Sequence, residues 1–480
     1  MPMLHGTIID ATSGAPLEAK VRIVDCEGAV RTPEGAILKV GNGPEAFYCP
    51  GEFVVSVRGG PCEIVVERGT EYRPLRRSLA LPWKGEIDVR LELERWIDLP
   101  QMGWYPGNTH IHYDQNEKKP YDRLKLEPHV NDFSVTVVSI LRRWDLKYAS
   151  NRFPLGVFTD YSTAHHVVDI GEENRHNEWG GQFGYGHIML FKITEQVEPV
   201  SRGMLVDDFN PDYPPLCLAC DDARRQGGIV IWCHNGRGME APVAAALGKL
   251  DGINLFDPYW MDPEYDLWYK MLNCGFNLPA STGSDWFVCS NNRVYVHTGS
   301  EFSYDSWLAH LKQGETFISN GPALLMSVNG LGTGALLPCS PGAKVEVSVS
   351  WRSHYPVNLV EIVQDGRVIG GRKLPEGSVE GELHEVVSVA NDGWIAARCS
   401  GAARDSFEQA IFAHTSPVYM QTGIPSPVRR ESAQFFVDSL NSSLEWVNTT
   451  GRFLNKQQRT TVVNLFREGQ RVYEELARLR

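Results

Sequence analysis

Leu216-Cys217-Leu218-Ala219-Cys220-Asp221-Asp222-Ala223-Arg224-Arg225-Gln226-Gly227-Gly228-Ile229-Val230-Ile231-Trp232-Cys233-His234 is the stretch that sets the fold class. Residues 216–225 read as a helix, and Gly227-Gly228 stands in the C-cap position, where the chain needs a left-handed turn. Four apolar residues, 229–232, then make a run of strand length that delivers His234 at its end. The same alternation extends in both directions. Strand-like runs at 134–140, 188–193 and 253–256 are interleaved with helix-like ones, among them 263–272, which stops at Asn273-Cys274-Gly275. Strand–helix alternation sustained from about residue 99 over more than two hundred residues predicts an α/β layer or a β/α barrel, with the chemistry just past the strands' C-terminal ends.

On either side the pattern changes. Residues 1–98 carry short β-branched runs at 21–24, 53–57, 62–66 and 87–91, bounded by Gly, Pro or Asp, which predicts a small β-sandwich without a convergent cluster of its own. After Asn320-Gly321-Pro322 the chain returns to β, alternating at 345–349 and apolar at 359–363. It closes with two amphipathic helices. Ala433, Phe436, Leu440, Leu444 and Val447 form one stripe; Val462, Phe466, Gly469, Tyr473 and Leu476 form the other. The expected organisation is therefore a multidomain α/β plus β chain: a sandwich over 1–98, a β/α domain over 99–325, a β-rich region over 326–425 and a helical tail over 426–480.

Composition narrows the function classes. The 480 residues are 42% hydrophobic and 22% charged, an ordinary globular mixture rather than a disordered one. A net charge of −13 provides no basic field for nucleic acid or anionic membrane. No apolar run approaches the roughly 18 residues of a membrane span, and the opening Met1-Pro2-Met3-Leu4-His5-Gly6 lacks the pattern of a signal peptide. Ten cysteines are too sparse for a disulfide scaffold and suit a reducing compartment. The expectation is a cytoplasmic protein acting on a small molecule.

The chemistry gathers in the α/β zone. In Gly107-Asn108-Thr109-His110-Ile111-His112 two imidazoles fall on one face of a strand, roughly 7 Å apart. His234 ends a buried strand, and Asp285 follows the small-residue turn 279–284. Glu172 and Glu173 follow a β run, and Gly186-His187 opens the next strand. Three imidazole positions and two carboxylate positions at strand termini point to one shared metal site. A mixed His/carboxylate set without thiolate suits Zn, Mn or Fe(II) in a catalytic role, and such an ion makes hydrolysis the natural reaction. Other features carry less. Cys217 and Cys220 form a lone CxxC read as core packing. Cys233 and His234, as strand neighbours, point to opposite faces. His129, His165, His166 and His176 read as surface or hydrogen-bonded. Arg142, Arg143 and Arg175 stand near strand ends, for ion pairing or for an oxyanion or carboxylate. Trp144, Tyr259, Trp286 and Phe287 form an aromatic wall or pack in the core.

The ordered set Gly103-Trp104-Tyr105-Pro106-Gly107-Asn108-Thr109-His110-Ile111-His112, Gly171-Glu172-Glu173, Gly186-His187, His234 and Gly283-Ser284-Asp285 resembles the PHP (polymerase-and-histidinol-phosphatase) superfamily of metal-dependent hydrolases. The closest likeness is to the CehA/McbA-type metallohydrolases. Residues 6–16 resemble the start of a carboxypeptidase-regulatory-like sandwich, and 314–322 the stretch that follows the PHP core. The resemblance implies a distorted seven-stranded β/α barrel with a di- or trinuclear centre. It implies His110 and His112 as the first ligand pair, Glu173 as bridging glutamate with Glu172 as its rival, His187 and His234 as further ligands, and Asp285 as the terminal aspartate. Three departures stand out: Phe287 where the family often has His, Arg142-Arg143 in place of an Asp-His, and Asn108-Thr109 before the histidine pair. They reduce the expected complement to one or two ions. The expected activity is a metal-bound hydroxide attacking an ester, carbamate or amide carbonyl, with Asp285, His187 and Arg175 as catalytic candidates. The rivals are a PHP-type phosphoesterase and a non-catalytic binding protein with a degenerate site.

Overall fold

The computed structural model describes residues 1–113, 120–141, 153–177, 183–198, 211–257, 260–261 and 263–478. Arg142, Arg143, Trp144 and Tyr259 lie outside the described residues. The chain is mixed α/β, mostly strand, and is dominated by one large curled sheet that runs from Trp104–Ile111 to Val418–Gln421.

Two small sheets precede it. Met3–Asp10 pairs antiparallel with Glu52–Ser56 and parallel with Glu86–Leu93. Ala19–Val24 pairs antiparallel with Gly60–Glu67. Alternate apolar residues of both sheets, including Leu4, Ile8, Val21, Ile23, Ile64 and Leu91, meet in one core. Each side chain buried this way contributes roughly 1.5–3 kcal/mol, enough to set strand register.

In the large sheet Trp104–Ile111, Val135–Ile140 and Val167–His176 are parallel neighbours. Gly186–Phe191 runs antiparallel to its neighbours on both sides. Ile229–Trp232, Gly252–Asn254 and Ala280–Ser281 are again parallel. The curl brings the sequence beyond Ser281 back to the first strand. Thr109 N donates to Thr282 O, and Ser284 N and Asp285 N both donate to His110 O at 2.8 and 2.9 Å. The opening stretch folds as read: helix Leu216–Arg225, then strand Ile229–Trp232, whose four side chains are at most 4% exposed.

Two runs differ from the sequence expectation. The helix expected over 263–272 is Asp266–Asn273, set back because Pro263 and the residues after it form no hydrogen-bonded turn. The runs at 345–349 and 359–363 are not separate strands. They belong to one strand, Ala343–Gln364, whose pairing shifts register between Arg352 and Val357. That strand turns at Asp365 and Gly366, both at positive φ, into Arg367–Val389, a two-residue hairpin turn of the kind Asp-Gly favours. The two C-terminal helices, Pro427–Thr449 and Lys456–Arg478, bury the stripes read from the sequence against the central core, with Leu476 only partly covered.

Candidate metal centre

His110 is the penultimate residue of strand Trp104–Ile111 and His112 follows the strand, both fully buried. The His110 Nδ1 lies 2.7 Å from Asp257 Oδ2, and the His112 Nδ1 lies 2.9 Å from the Ser139 carbonyl oxygen. Each of these acceptors takes an N–H, which puts a proton on Nδ1 of each ring and turns Nε2 toward the site. The two Nε2 atoms face one another at 3.1 Å.

A second pair repeats the arrangement. His234 Nδ1 lies 2.8 Å from the Asp257 carbonyl oxygen, and His187 Nε2 lies 2.9 Å from Asn177 Oδ1. The remaining nitrogens, His187 Nδ1 and His234 Nε2, face one another at 2.8 Å. Glu173 stands between the pairs. Its Oε2 is 2.9 Å from His112 Nε2 and 3.7 Å from His110 Nε2, and its Oε1 is 3.2 Å from His187 Nδ1. Asp285 Oδ1 is 3.4 Å from Nε2 of both His110 and His112. Neither Glu173 oxygen nor Asp285 Oδ1 receives a hydrogen bond, although all three are buried.

Charge tells the same story. Glu173, Asp257 and Asp285 are each at most 2% exposed. The one guanidinium in contact with them among the described residues is Arg175, whose Nη2 is 2.8 Å from Glu173 Oε2. Buried carboxylates in excess of cations are costly unless something positive joins them. Burial works to raise Glu173, but Arg175 and the three facing histidines outweigh it and hold the carboxyl well below its usual range. Burial also works to lower His110, yet the acidic groups around it, Asp285 and Asp257 among them, keep it well above the ordinary imidazole value. His187, with burial dominant, is pushed down to about 3 and stays neutral. The donor atoms fall into three groups that could each hold an ion: His110, His112, Glu173 and Asp285; Glu173, His187 and His234; and His110, Cys233 and Asp257.

Strand geometry explains which residues converge. Val167–His176 is a ten-residue strand, so the glutamates lie inside a strand and not beyond its end. Alternation puts Glu173 and Arg175 on the site face and Glu172 on the other. Glu172 is therefore not in the cluster: its Oε2 accepts from Val197 N at 3.2 Å. Gly171 has to be glycine, since a Cβ there would come within 2.4 Å of Leu190 O. His234, Phe256, Asp285 and Phe287 all hold positive φ between 56° and 64°, a concentration of backbone strain around one site.

The remaining candidates separate cleanly. Trp286 stacks on His112 with centroids 4.6 Å apart, and the Arg175 guanidinium lies 4.4 Å from the Trp286 centroid. Phe287 packs at 5.1 Å from Trp286. His166 bonds Thr136 Oγ1, His129 packs on His166, and His176 bonds Asp212, all away from the cluster. His165 is exposed. Cys217 and Cys220 are buried in helix Leu216–Arg225. Cys233 faces His110 and Asp257 instead of pairing with His234, and burial raises its thiol well above the usual range.

Asp257 was absent from the sequence reading. It accepts from His110 Nδ1 through Oδ2, from His234 N through Oδ1 at 2.7 Å, and from His234 Nδ1 through its carbonyl. The signal was available, because Asp257 follows the apolar run 253–256 as His234 follows 229–232. Compared with known proteins, the chain matches no family model, no curated protein and no solved structure.

Proposed function

We propose that the chain is a metal-dependent hydrolase of PHP type, acting on an ester, carbamate or amide bond of a small molecule. The observation that carries this reading is the two pairs of face-to-face imidazole nitrogens on either side of Glu173. Imidazole nitrogens 3.1 and 2.8 Å apart need a proton or a metal cation between or beside them, and a cation can take the place of the proton at both pairs. With the imidazoles neutral, as metal ligands have to be, three buried carboxylates against one guanidinium leave two negative charges, which fit a divalent ion. Nitrogen and oxygen donors without a committed thiolate favour Zn, Mn or Fe(II). The return of residues 282–285 to His110 supports reading the curled sheet as a distorted seven-stranded barrel, and the shared core of the first two sheets supports reading residues 1–98 as a sandwich.

His110, His112, Glu173 and Asp285 would hold one ion, and Glu173, His187 and His234 a second. Such ions supply polarisation of the attacked oxygen and a lowered pKa for the attacking water. The protein's own groups do the rest. Asp257 fixes the tautomers of His110 and His234, so that each presents a lone pair. Asp285 Oδ1, buried and without a donor, is placed to take the water's proton. Arg175 holds Glu173, and its Nε makes no hydrogen bond, leaving a donor for the oxyanion that develops on the substrate. Trp286 and Phe287 give an apolar wall beside His112. A single contacting guanidinium suits a carbonyl better than a phosphate, which usually recruits several cationic donors.

The test is metal analysis followed by rates on p-nitrophenyl acetate, an aryl carbamate and p-nitrophenyl phosphate. Uptake of about one or two ions with ester or carbamate turnover is expected. Preference for the phosphate would move the protein to the phosphoesterase class. A chain that takes up no Mn or Zn and turns over none of the three would be a binding protein instead.

A further inference from the structure

We propose that the cleft where the N-terminal sheet of Ala19–Val24 and Gly60–Glu67 meets His354, Tyr355 and the loop after strand Gly393–Arg404 is a second binding site, which takes a small organic anion with a carboxylate or phosphate head group. The cavity has a volume of about 450 Å³ and none of its lining residues belongs to the metal cluster. That volume is within the usual range for a small-ligand pocket. Its wall carries five cationic side chains, Lys20, Arg22, Lys39, Arg76 and Arg404, against three acidic ones, in a chain whose net charge is −13.

Two of the acids are already committed. Glu67 lies 3.3 Å from Lys20 Nζ. Asp405 accepts from Phe407 N and Gln409 N through Oδ1 and from Asn320 Nδ2 through Oδ2, and burial pushes its carboxyl up to about 6. Of the cations, Lys20 also donates to Ser406 Oγ, Arg22 and Arg76 share Glu63 at 4.0 and 3.6 Å, and Arg404 donates to the Glu408 carbonyl. That leaves Lys39 and Arg404 without a carboxylate among the described residues. Lys39 Nζ donates to the Asn42 and Pro44 carbonyls and makes no ion pair among the described residues. Lys20 and Lys39 both sit on the Phe407 ring, 4.8 and 4.7 Å from its centroid, which brings two ammonium groups together. Burial first and Lys20 second lower Lys39 to about 8, against the raising influence of Glu67, Asp405 and Glu408. An anion in the cleft would relieve both the repulsion and the missing ion pair. His354 faces the same space. Its ring is buried, with the Thr70 backbone as an acceptor that favours its protonation, but burial outweighs this and keeps the ring neutral at about 4. Tyr355, Pro44, Ala46, Val65 and Pro74 line the remainder, which suits an apolar or aromatic body behind the head group.

The experiment is calorimetric titration of the full-length protein with benzoate and with phenylphosphonate at fixed ionic strength. At least one probe should bind saturably at one site, and Lys39→Met should weaken it tenfold or more while the metal content is unchanged. Binding of benzoate alone assigns a carboxylate, of phenylphosphonate alone a phosphate, and of both an anion site indifferent to the head group. If Lys39→Met does not fold, by circular dichroism, Arg404→Met gives the reading in its place. The proposal is overturned if neither probe saturates. It is equally overturned if binding survives the cleft variants but is lost in His110→Ala, because the probe would then be sitting at the metal centre.

Discussion

Asp257 shows how much the candidate metal centre depends on the residues that orient its histidines. It accepts from His110 and from both the backbone and the ring of His234, and Asn254 Nδ2 in turn donates to its Oδ2 at 2.9 Å. Asp257→Asn keeps the shape but removes the acceptor that fixes the His110 tautomer. Metal affinity measured by chelator competition should fall roughly 10–100-fold, with the circular dichroism spectrum preserved. Unchanged affinity would show that the tautomers are set without it. Gly283 tests the same idea through the backbone. A Cβ there would lie 2.4 Å from His110 Cβ and 2.8 Å from its N, so Gly283→Ala has to displace the strand that carries the histidine pair. Loss of bound metal without a change in any donor atom is the expected result, read by elemental analysis. The histidine pair was legible in the sequence because period-two alternation is strict in a strand, whichever partners the strand later finds. The choice between Glu172 and Glu173 was not. It turns on where the strand ends, and that is fixed by pairing with Gly186–Phe191, on the far side of the 178–182 segment.

Helix Leu216–Arg225 begins with no capping side chain of its own, since Pro215 precedes it. Glu240 does that work from a distance: its two carboxylate oxygens accept from Leu216 N at 2.8 Å and Cys217 N at 2.7 Å. Burial raises Glu240 to about 7 even though those two N–H groups favour the charged form. The native state thus keeps a proton that the unfolded chain releases from about pH 4.5 upward. Stability contributed by Glu240 is complete below that value, declines as pH rises to about 7, and is level beyond. The span corresponds to roughly 3 kcal/mol at most. Glu240→Gln should flatten the fall in thermal midpoint between pH 5 and 7, measured beside the parent protein, and an identical slope in both would discard the assignment. The helix itself was readable from its glycine stop. Its cap was not, because the group that supplies it is fifteen residues beyond the helix's last residue and carries no local motif.

At the scale of the molecule the C-terminal helices are joined to the strands that form the site. Tyr473 Oη donates to the Pro242 carbonyl at 2.8 Å, and Gly469 lies so close to Val243 that a Cβ would approach within 3.0 Å. Phe466 and Trp446 pack on Tyr185, whose hydroxyl donates to the Asp212 carbonyl. Asp212 N also donates to the Arg452 carbonyl, its Oδ2 accepts from Arg452 N, and its Oδ1 accepts from His176, the last residue of the strand that carries Glu173 and Arg175. The amphipathic stripes announced a buried face, but amphipathicity does not say which surface will cover it, and the sequence alone left these helices as a tail. Phe436→Ala, at the centre of the seam, should cost about 3–5 kcal/mol by the cavity it leaves. Ending the chain at residue 425 would uncover Phe436, Leu440, Val447, Phe466 and Tyr473's partners at once, an apolar patch of the kind that drives aggregation. The shortened protein should therefore be insoluble or bind metal with reduced occupancy, judged by size-exclusion chromatography and metal analysis. A monodisperse 1–425 protein with full metal content would mean that the sheet closes around its ions unaided, and that the helices only cover it.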